Sequence, residues 1–390
     1  MIIGLTFILL LVLLLPFLFH RIERNLELFL FVMGITAAMI AGVLHPALLR
    51  GALIHPLPIT VTVFAMGLLF KLTRVRIEQA VTRLRTRMPD HLFIFLMILL
   101  LGLLSSIITV IIASLVLVEI VALLRLQRKA EVRVVILACY ALGLGAVLTP
   151  IGEPLSTIAT LRLAGEPYHA GFWFLMRELG LWIVPGVLLF AALSLFFREP
   201  HIAAGPTPGA EPPVVRALAE TYFEVALRAA KVYLFVMALV FLGEAFRVMV
   251  DRYVIHLPSL VLYWINIISA VLDNATLAAA EISPAMHIGQ IRDILLGLLI
   301  AGGMLIPGNI PNIIAAGKLK IGSREWARFA LPVGFAAMLV CFVFLLVLPG
   351  PEPQPPDSMQ AEAPASLPAE AGTQVMPAPH SAATGAHVPP

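Results

Sequence analysis

Apolar residues along this chain gather into long blocks separated by short charged or proline-bearing intervals. The blocks run at about 2–19, 28–44, 52–70, 92–124, 132–163, 171–197, 232–250, 258–281, 293–317 and 329–348. A helix of about 20 apolar residues crosses a hydrocarbon core of ~30 Å, so most of these blocks predict one crossing each. Two do not fit. Residues 92–124 carry a single charge, Glu119, and as one helix would reach ~50 Å. The polar cluster Ser105, Ser106 and Thr109 predicts a bend inside that block. Residues 258–281 carry Asp273 and Asn274 near their middle, again where a break is predicted. The first block is uncharged and is followed, not preceded, by Arg21 and Arg24. It therefore reads as a retained anchor over residues 1–25 rather than a cleaved leader.

Basic residues set the expected topology. Lys71, Arg74, Arg76, Arg83, Arg85 and Arg87 precede 92–124, and Arg125, Arg128, Lys129 and Arg133 follow it. Basic clusters on both flanks put both ends of that block in the cytoplasm, which predicts a re-entrant hairpin. Two short full crossings satisfy the charges equally well. The flanks of 258–281 are nearly free of Lys and Arg, so its ends belong outside. If 132–163 and 293–317 each cross once with a central break, few basic residues are left outside. Of the 26, only Arg50, Arg162, Arg177, Arg247, Arg252 and Arg292 fall at the outer face. The expectation is an all-α polytopic membrane protein with about eight crossings, two re-entrant hairpins and two broken helices. Both termini lie on the non-cytoplasmic side of a cell (inner) membrane. Proline and glycine at 198–216 mark a linker between a first repeat (26–197) and a second repeat with the last helix (217–348). Residues 349–390 are rich in Pro and Ala and lack Lys and Arg, the composition of a disordered tail.

Composition sharpens this picture. The chain is 60% hydrophobic and 13% charged, with a mean hydropathy of +0.99. A soluble domain carries about 25% charged residues, so that class is excluded. Cys139 and Cys341 both lie in apolar runs and imply no disulfide framework. The net charge of +3 is not gathered into a stripe, so nucleic acid is not an expected partner. The basic stretch 71–87 reads as an interfacial segment drawn to anionic lipid.

The two halves echo each other. Residues 149–159 read T-P-I-G-E-P-L-S-T-I-A and 306–316 read I-P-G-N-I-P-N-I-I-A-A, which places Pro150 on Pro307 and Pro154 on Pro311. Glu119 and Glu281 end the two predicted hairpins at equivalent places. One hairpin would enter from inside and the other from outside, so the repeat is inverted. Inverted repeats with interrupted helices are the mark of secondary transporters, whose site lies where the breaks meet. Proline removes an N–H and frees a carbonyl, and glycine lets the chain leave the helix. Such unwound backbone survives at membrane depth only when it is buried in protein or lines a wet cavity. Two facing breaks would offer carbonyl, amide and hydroxyl oxygens, which are hard ligands for a desolvated cation.

The stretch G-A-V-L-T-P-I-G-E-P at 145–154, the tip S-A-V-L-D-N at 269–274 and G-N-I-P-N-I-I-A-A-G at 308–317 carry a resemblance. Over roughly 26–348 the chain resembles the ion transporter superfamily of arsenite-pump permeases, D-type sodium/proton antiporters and citrate/dicarboxylate carriers. It is nearest in pattern to a branch of predicted prokaryotic cation transporters. The resemblance implies two inverted repeats with re-entrant hairpins and broken helices. Glu153 stands where that superfamily usually has Ser, and the first hairpin has no Asp-Asn pair.

The candidate ion-binding residues are Asp273, Asn274, Glu153, Asn309, Asn312, Ser156 and Thr157. Ser105, Ser106, Thr109, Glu119 and Glu281 form a second tier, with Na⁺ the expected ion at the same residues. An acid held at mid-membrane depth costs about 2.5–3.5 kcal/mol and usually marks an ion pathway. Lys and Arg are nearly absent from the predicted core, which favours a monovalent cation, Na⁺ exchanged for H⁺. Na⁺-coupled uptake of a small anion such as a dicarboxylate is the alternative, with half-helix N-termini as its cradle. An enzyme is not expected: no His-Glu-x-x-His, Gly-x-Ser-x-Gly or P-loop occurs. No cofactor beyond the transported ion is expected. The lipid bilayer and a small inorganic cation are the expected partners, and a homodimer is compatible with the sequence.

Overall fold

The computed structural model describes residues 1–19, 22, 25–196, 221–272 and 274–348. All of these belong to one unit, Met1–Pro351. The linker expected at 198–216, the tail expected at 349–390 and Asp273 lie outside the described residues.

Helices α1 (Ile2–Leu18), α2 (Leu26–Ala41), α3 (Pro46–Ile54) and α4 (Pro56–Arg87) come first. Next are α5 (Asp90–Ile108), α6 (Val110–Leu124), α7 (Arg128–Ala146), α8 (Pro154–Arg162) and α9 (Phe174–Leu193). Then follow α10 (Tyr222–Met249), α11 (Ser259–Ile265), α12 (Asn274–Glu281), α13 (Ile288–Gly302), α14 (Ile310–Leu319) and α15 (Ser323–Val347). No strand occurs among the described residues. Among the described residues, five helical segments are long and apolar enough to cross a membrane: Pro46–Thr73, Asp90–Ile108, Phe174–Phe196, Tyr222–Val254 and Ser323–Val347. The protein is thus all-helical, membrane-embedded and multi-pass.

Each block with a predicted break is interrupted, and at the two proline-bearing breaks the chemistry is local. After Ala146 the backbone leaves the helix through Thr149, Pro150 and Gly152, and Pro154 opens α8 from an extended Glu153 (φ −153°, ψ 164°). After Gly302 the chain passes a short 3-10 turn at Ile306–Gly308, and α14 starts from an extended Asn309 (φ −152°, ψ 148°). Proline occupies the first turn of both restarted helices, where its missing N–H costs nothing. The second interruption in the other pair is gentler: α11 tightens into a 3-10 turn at Asn266–Ala270 before α12 begins.

The break in 92–124 falls at one residue, Thr109, with φ 72° and ψ 145°. That region is nearly reserved for glycine, and a β-branched residue there is strained. Tertiary bonds hold the bend. The Val110 N–H donates to Gly152 O at 2.8 Å, and the Thr149 hydroxyl donates to Ser106 O. The bend between α5 and α6 is therefore fastened to the break between α7 and α8.

Helices α7 and α13 are buried along most of their length and form the centre of the protein. α5 lies against α7, and α11 against α13. Small residues let these pairs approach closely, as is usual where apolar burial gives no drive between helices. A Cβ on Gly145 would sit 1.8 Å from Gly102 O, and one on Gly297 would sit 2.5 Å from Tyr263 O. The short helices pack crosswise, α6 on α14 and α8 on α12. A separate layer is built by α10 on α2 and α4. Large apolar side chains such as Leu181 on α9 and Leu339 and Phe344 on α15 face outward, as lipid contact requires.

Candidate functional site

Four segments that the sequence singles out converge on one cavity of about 730 Å³. Thr109, Val110 and Ile111 come from the bend between α5 and α6. Ile151, Gly152, Glu153, Pro154 and Thr157 come from the first helix break. Val271, Leu272, Ala275 and Thr276 flank the turn before α12, and Ile306, Pro307 and Ile310 come from the second break. The remaining wall comes from α1, α2, α4, α10 and the start of α15, including Glu27, Glu224 and Lys231.

Glu153 is 3% exposed and lines this cavity. Its position is fixed by Ser156, whose hydroxyl donates to Glu153 O at 2.7 Å and accepts the Glu153 N–H at 3.4 Å. The Thr157 hydroxyl donates to Pro150 O at 2.5 Å and so braces the break from within. Ser156 therefore shapes the loop, whereas Glu153 and Thr157 reach the cavity.

Asn312 is fully buried and its Nδ2 donates to Gly302 O at 2.8 Å and Leu305 O at 2.9 Å, spanning the second break. Asn309 sits against α7 at Gly143, where a Cβ would lie 2.4 Å from its Nδ2. The two breaks are thus in contact through α7, and the Cys139 thiol meets Pro311 O at 3.5 Å beside them. Asn274 is buried at the start of α12. Asp273, its chain neighbour, is outside the described residues.

Among the described residues, the buried polar atoms of these segments without a hydrogen-bond partner within the protein include four on neutral side chains. They are Thr109 Oγ1, Asn274 Nδ2, Asn309 Oδ1 and Asn312 Oδ1; Thr109 lies in the cavity wall, whereas Asn274, Asn309 and Asn312 are absent from it. An unsatisfied buried group costs about 1–3 kcal/mol, so each calls for an explanation. Three of the four are oxygens, as a cation would require. The cavity wall also includes the N-terminal ends of α6, α8 and α14 and the first turn of α12. Helix N-terminal ends carry positive partial charge, which Glu153 offsets at α8 and the Gly152 carbonyl meets at Val110 of α6.

The second tier divides. Thr109 lies in the cavity wall. Ser105 donates to Gly102 O at 2.6 Å and Leu142 O at 3.0 Å, and Ser106 donates to Leu103 O at 2.8 Å, so both hydroxyls are engaged with backbone. Glu119 and Glu281 are absent from the cavity wall. Glu119 lies within electrostatic reach of Lys318 on α14. Glu281 Oε2 accepts from Asn266 Nδ2 at 2.9 Å.

Among the buried polar residues that the sequence did not single out are Asn266, Thr149 and Asp293. Asn266 and Thr149 are 0% and 1% exposed; an amide inside an apolar stretch and a hydroxyl before a proline were the available signals. Asp293 is buried and pairs with Arg292 at 3.1 Å, the guanidinium resting 5.3 Å from the Trp182 ring centroid. It looked like a block edge because α13 begins five residues earlier than the apolar run.

A family profile described as "Protein of unknown function (DUF1646)" matches residues 2–348. No curated protein matches the chain.

Proposed function

We propose that this chain, which belongs to the DUF1646 family, is a secondary active transporter of a small monovalent cation. Na⁺ moves in exchange for H⁺ by alternating access. The observation that carries this reading is the single cavity in which both helix breaks and both flanking turns meet around Glu153. Two segments with the same order of elements, α5–α9 and α11–α15, support an inverted repeat, as do the crossed pairs α6–α14 and α8–α12. On the positive-inside rule the basic ends of α4 and α7 are cytoplasmic and the described N-terminus is outside. Glu153 and Asp273 are the groups for which cation and proton compete, with Asn274, Asn309, Asn312 and Thr109 as neutral ligands.

A second reading, Na⁺-coupled uptake of a small anion, is favoured by one observation: the helix N-termini turned toward the cavity. Flux in proteoliposomes separates the two. With a pH-sensitive dye inside, Na⁺, K⁺, Li⁺ and a dicarboxylate are added in turn. Proton movement on Na⁺ addition alone is the expected result. Movement that needs the dicarboxylate would replace the first reading with the second, and no response to any of them would remove both.

Gly143 offers a test of the neutral ligands. Alanine is well tolerated in a helix interior, but its Cβ would lie 2.4 Å from Asn309 Nδ2 and force that amide aside. Gly143→Ala is expected to keep its thermal midpoint in detergent and to raise the Na⁺ concentration for half-maximal flux about tenfold, the effect of ~1.4 kcal/mol.

A further inference from the structure

Arg162 ends α8 at the far side of the protein from the cavity mouth. Its Nη2 donates to Ala279 O, near the end of α12, at 3.2 Å. Its guanidinium lies against α10 at Gly243, where a Cβ would come within 2.6 Å of Cζ. Arg162 Nε is buried with no hydrogen-bond partner. Glu244 and Arg247 of α10 and Asp251, just past its end, are within electrostatic reach. Those three pair with one another instead, Arg247 with Glu244 at 3.7 Å and with Asp251 at 3.6 Å. Asp251 also accepts from the Ser283 hydroxyl at 2.9 Å.

Three helices give the same ordering. On α8 the cavity is lined by Pro154 and Thr157, and Arg162 lies beyond them. On α12 it is lined by Ala275 and Thr276, and Ala279 lies beyond. On α10 the last lining residue is Val236, and Gly243 lies ~10 Å further along at 1.5 Å per residue. At the opposite end the wall reaches Glu224, Leu227 and Ser323, which are exposed at the starts of α10 and α15.

We propose that Arg162 is the gate closing the far end of the cavity, clamping the C-terminal ends of α8 and α12 onto α10. The inference rests on the alternating-access reading above. A cation is favoured there because it lies at the C-terminal ends of α8 and α12, and the α12 carbonyl Ala279 O accepts from it. Full satisfaction is not reached, since one donor stays unpaired and Glu244 and Asp251 stand close by. The clamp is therefore releasable: when the end opens, the guanidinium leaves Ala279 O for Glu244 or Asp251. Gly243 matters because only a residue without a side chain leaves room for the guanidinium against α10.

The test uses the full chain with Cys139 and Cys341 changed to alanine and one cysteine placed in the cavity wall, Ile313→Cys. In oriented vesicles, a membrane-impermeant maleimide is applied from each side. The parent is expected to label from the side bearing Glu224 and Ser323 and hardly from the other. Arg162→Ala is expected to speed labelling from the other side about tenfold, which a ~1.4 kcal/mol shift in the open–closed balance produces. Gly243→Ala, which pushes the guanidinium out, is expected to do the same and serves if Arg162→Ala does not fold. Unchanged labelling from that side in a folded variant would overturn the gate, as would a parent that labels equally from both sides. Labelling needs no transport. A gated parent that moves no cation would remove the transport reading and leave the gate standing.

Discussion

Glu153→Gln is expected to abolish Na⁺-driven proton movement in proteoliposomes while the protein stays folded. The substitution keeps the shape of the side chain and the loop bonds made by Ser156, and removes one negative charge from a position 3% exposed. A desolvated cation cannot remain there without a counter-charge, and losing one partner of a buried charge pair costs about 2–5 kcal/mol. The apparent affinity for Na⁺ should therefore fall about 10²-fold or more, beyond the range of the assay. The proton arm is lost as well, because glutamine does not titrate. Asp273→Asn is expected to act in the same direction. The check is dye-reported flux at several Na⁺ concentrations, beside size-exclusion profiles showing intact protein. Wild-type flux in both variants would eliminate carboxylate competition as the mechanism.

The largest expected effect on stability comes from Gly145→Ala. Its Cβ would lie 1.8 Å from the Gly102 carbonyl oxygen and 2.6 Å from the carbonyl carbon. No rotamer relieves this, since the opposing atoms are backbone. α5 would have to withdraw from α7 by more than 1 Å (roughly, from a normal contact of ~3.5 Å), disturbing the Ser105 bond to Leu142 O. Ordinary overpacking costs about 1–3 kcal/mol, and a clash against main chain should exceed that. Failure to obtain monodisperse protein, or a strongly lowered unfolding midpoint in detergent, is the expected outcome. Gly171→Ala is the control, because nothing lies within 4 Å of a Cβ there. Equal midpoints for the two variants would contradict the close crossing.

The helix breaks were legible because their causes are local. Proline and glycine act on their own backbone, so T-P-I-G-E-P and I-P-G-N-I-P announce an interruption wherever they fold. The position of the first bend was less legible. Three polar residues were candidates, and the one that turns, Thr109, is a poor choice by intrinsic preference. It is held there by Gly152 and Thr149, distant in the chain. The sequence places Arg162 near the outer face but gives no sign of its contacts, which depend on a glycine of α10 and a carbonyl of α12. Asp293 was taken for a boundary because polarity alone cannot tell a helix end from an ion pair covered by Trp182. What was missed in each case is a contact between distant parts of the chain.

The backbone contact between Gly102 and Gly145 has a consequence for leakage. Water needs space and two or more polar partners to persist inside a protein, and this crossing offers no gap for one. Without a file of water molecules, a proton has no relay at this crossing. For the exchange proposed above a leak here would dissipate the gradient, and the absence of two side chains is what closes the gap.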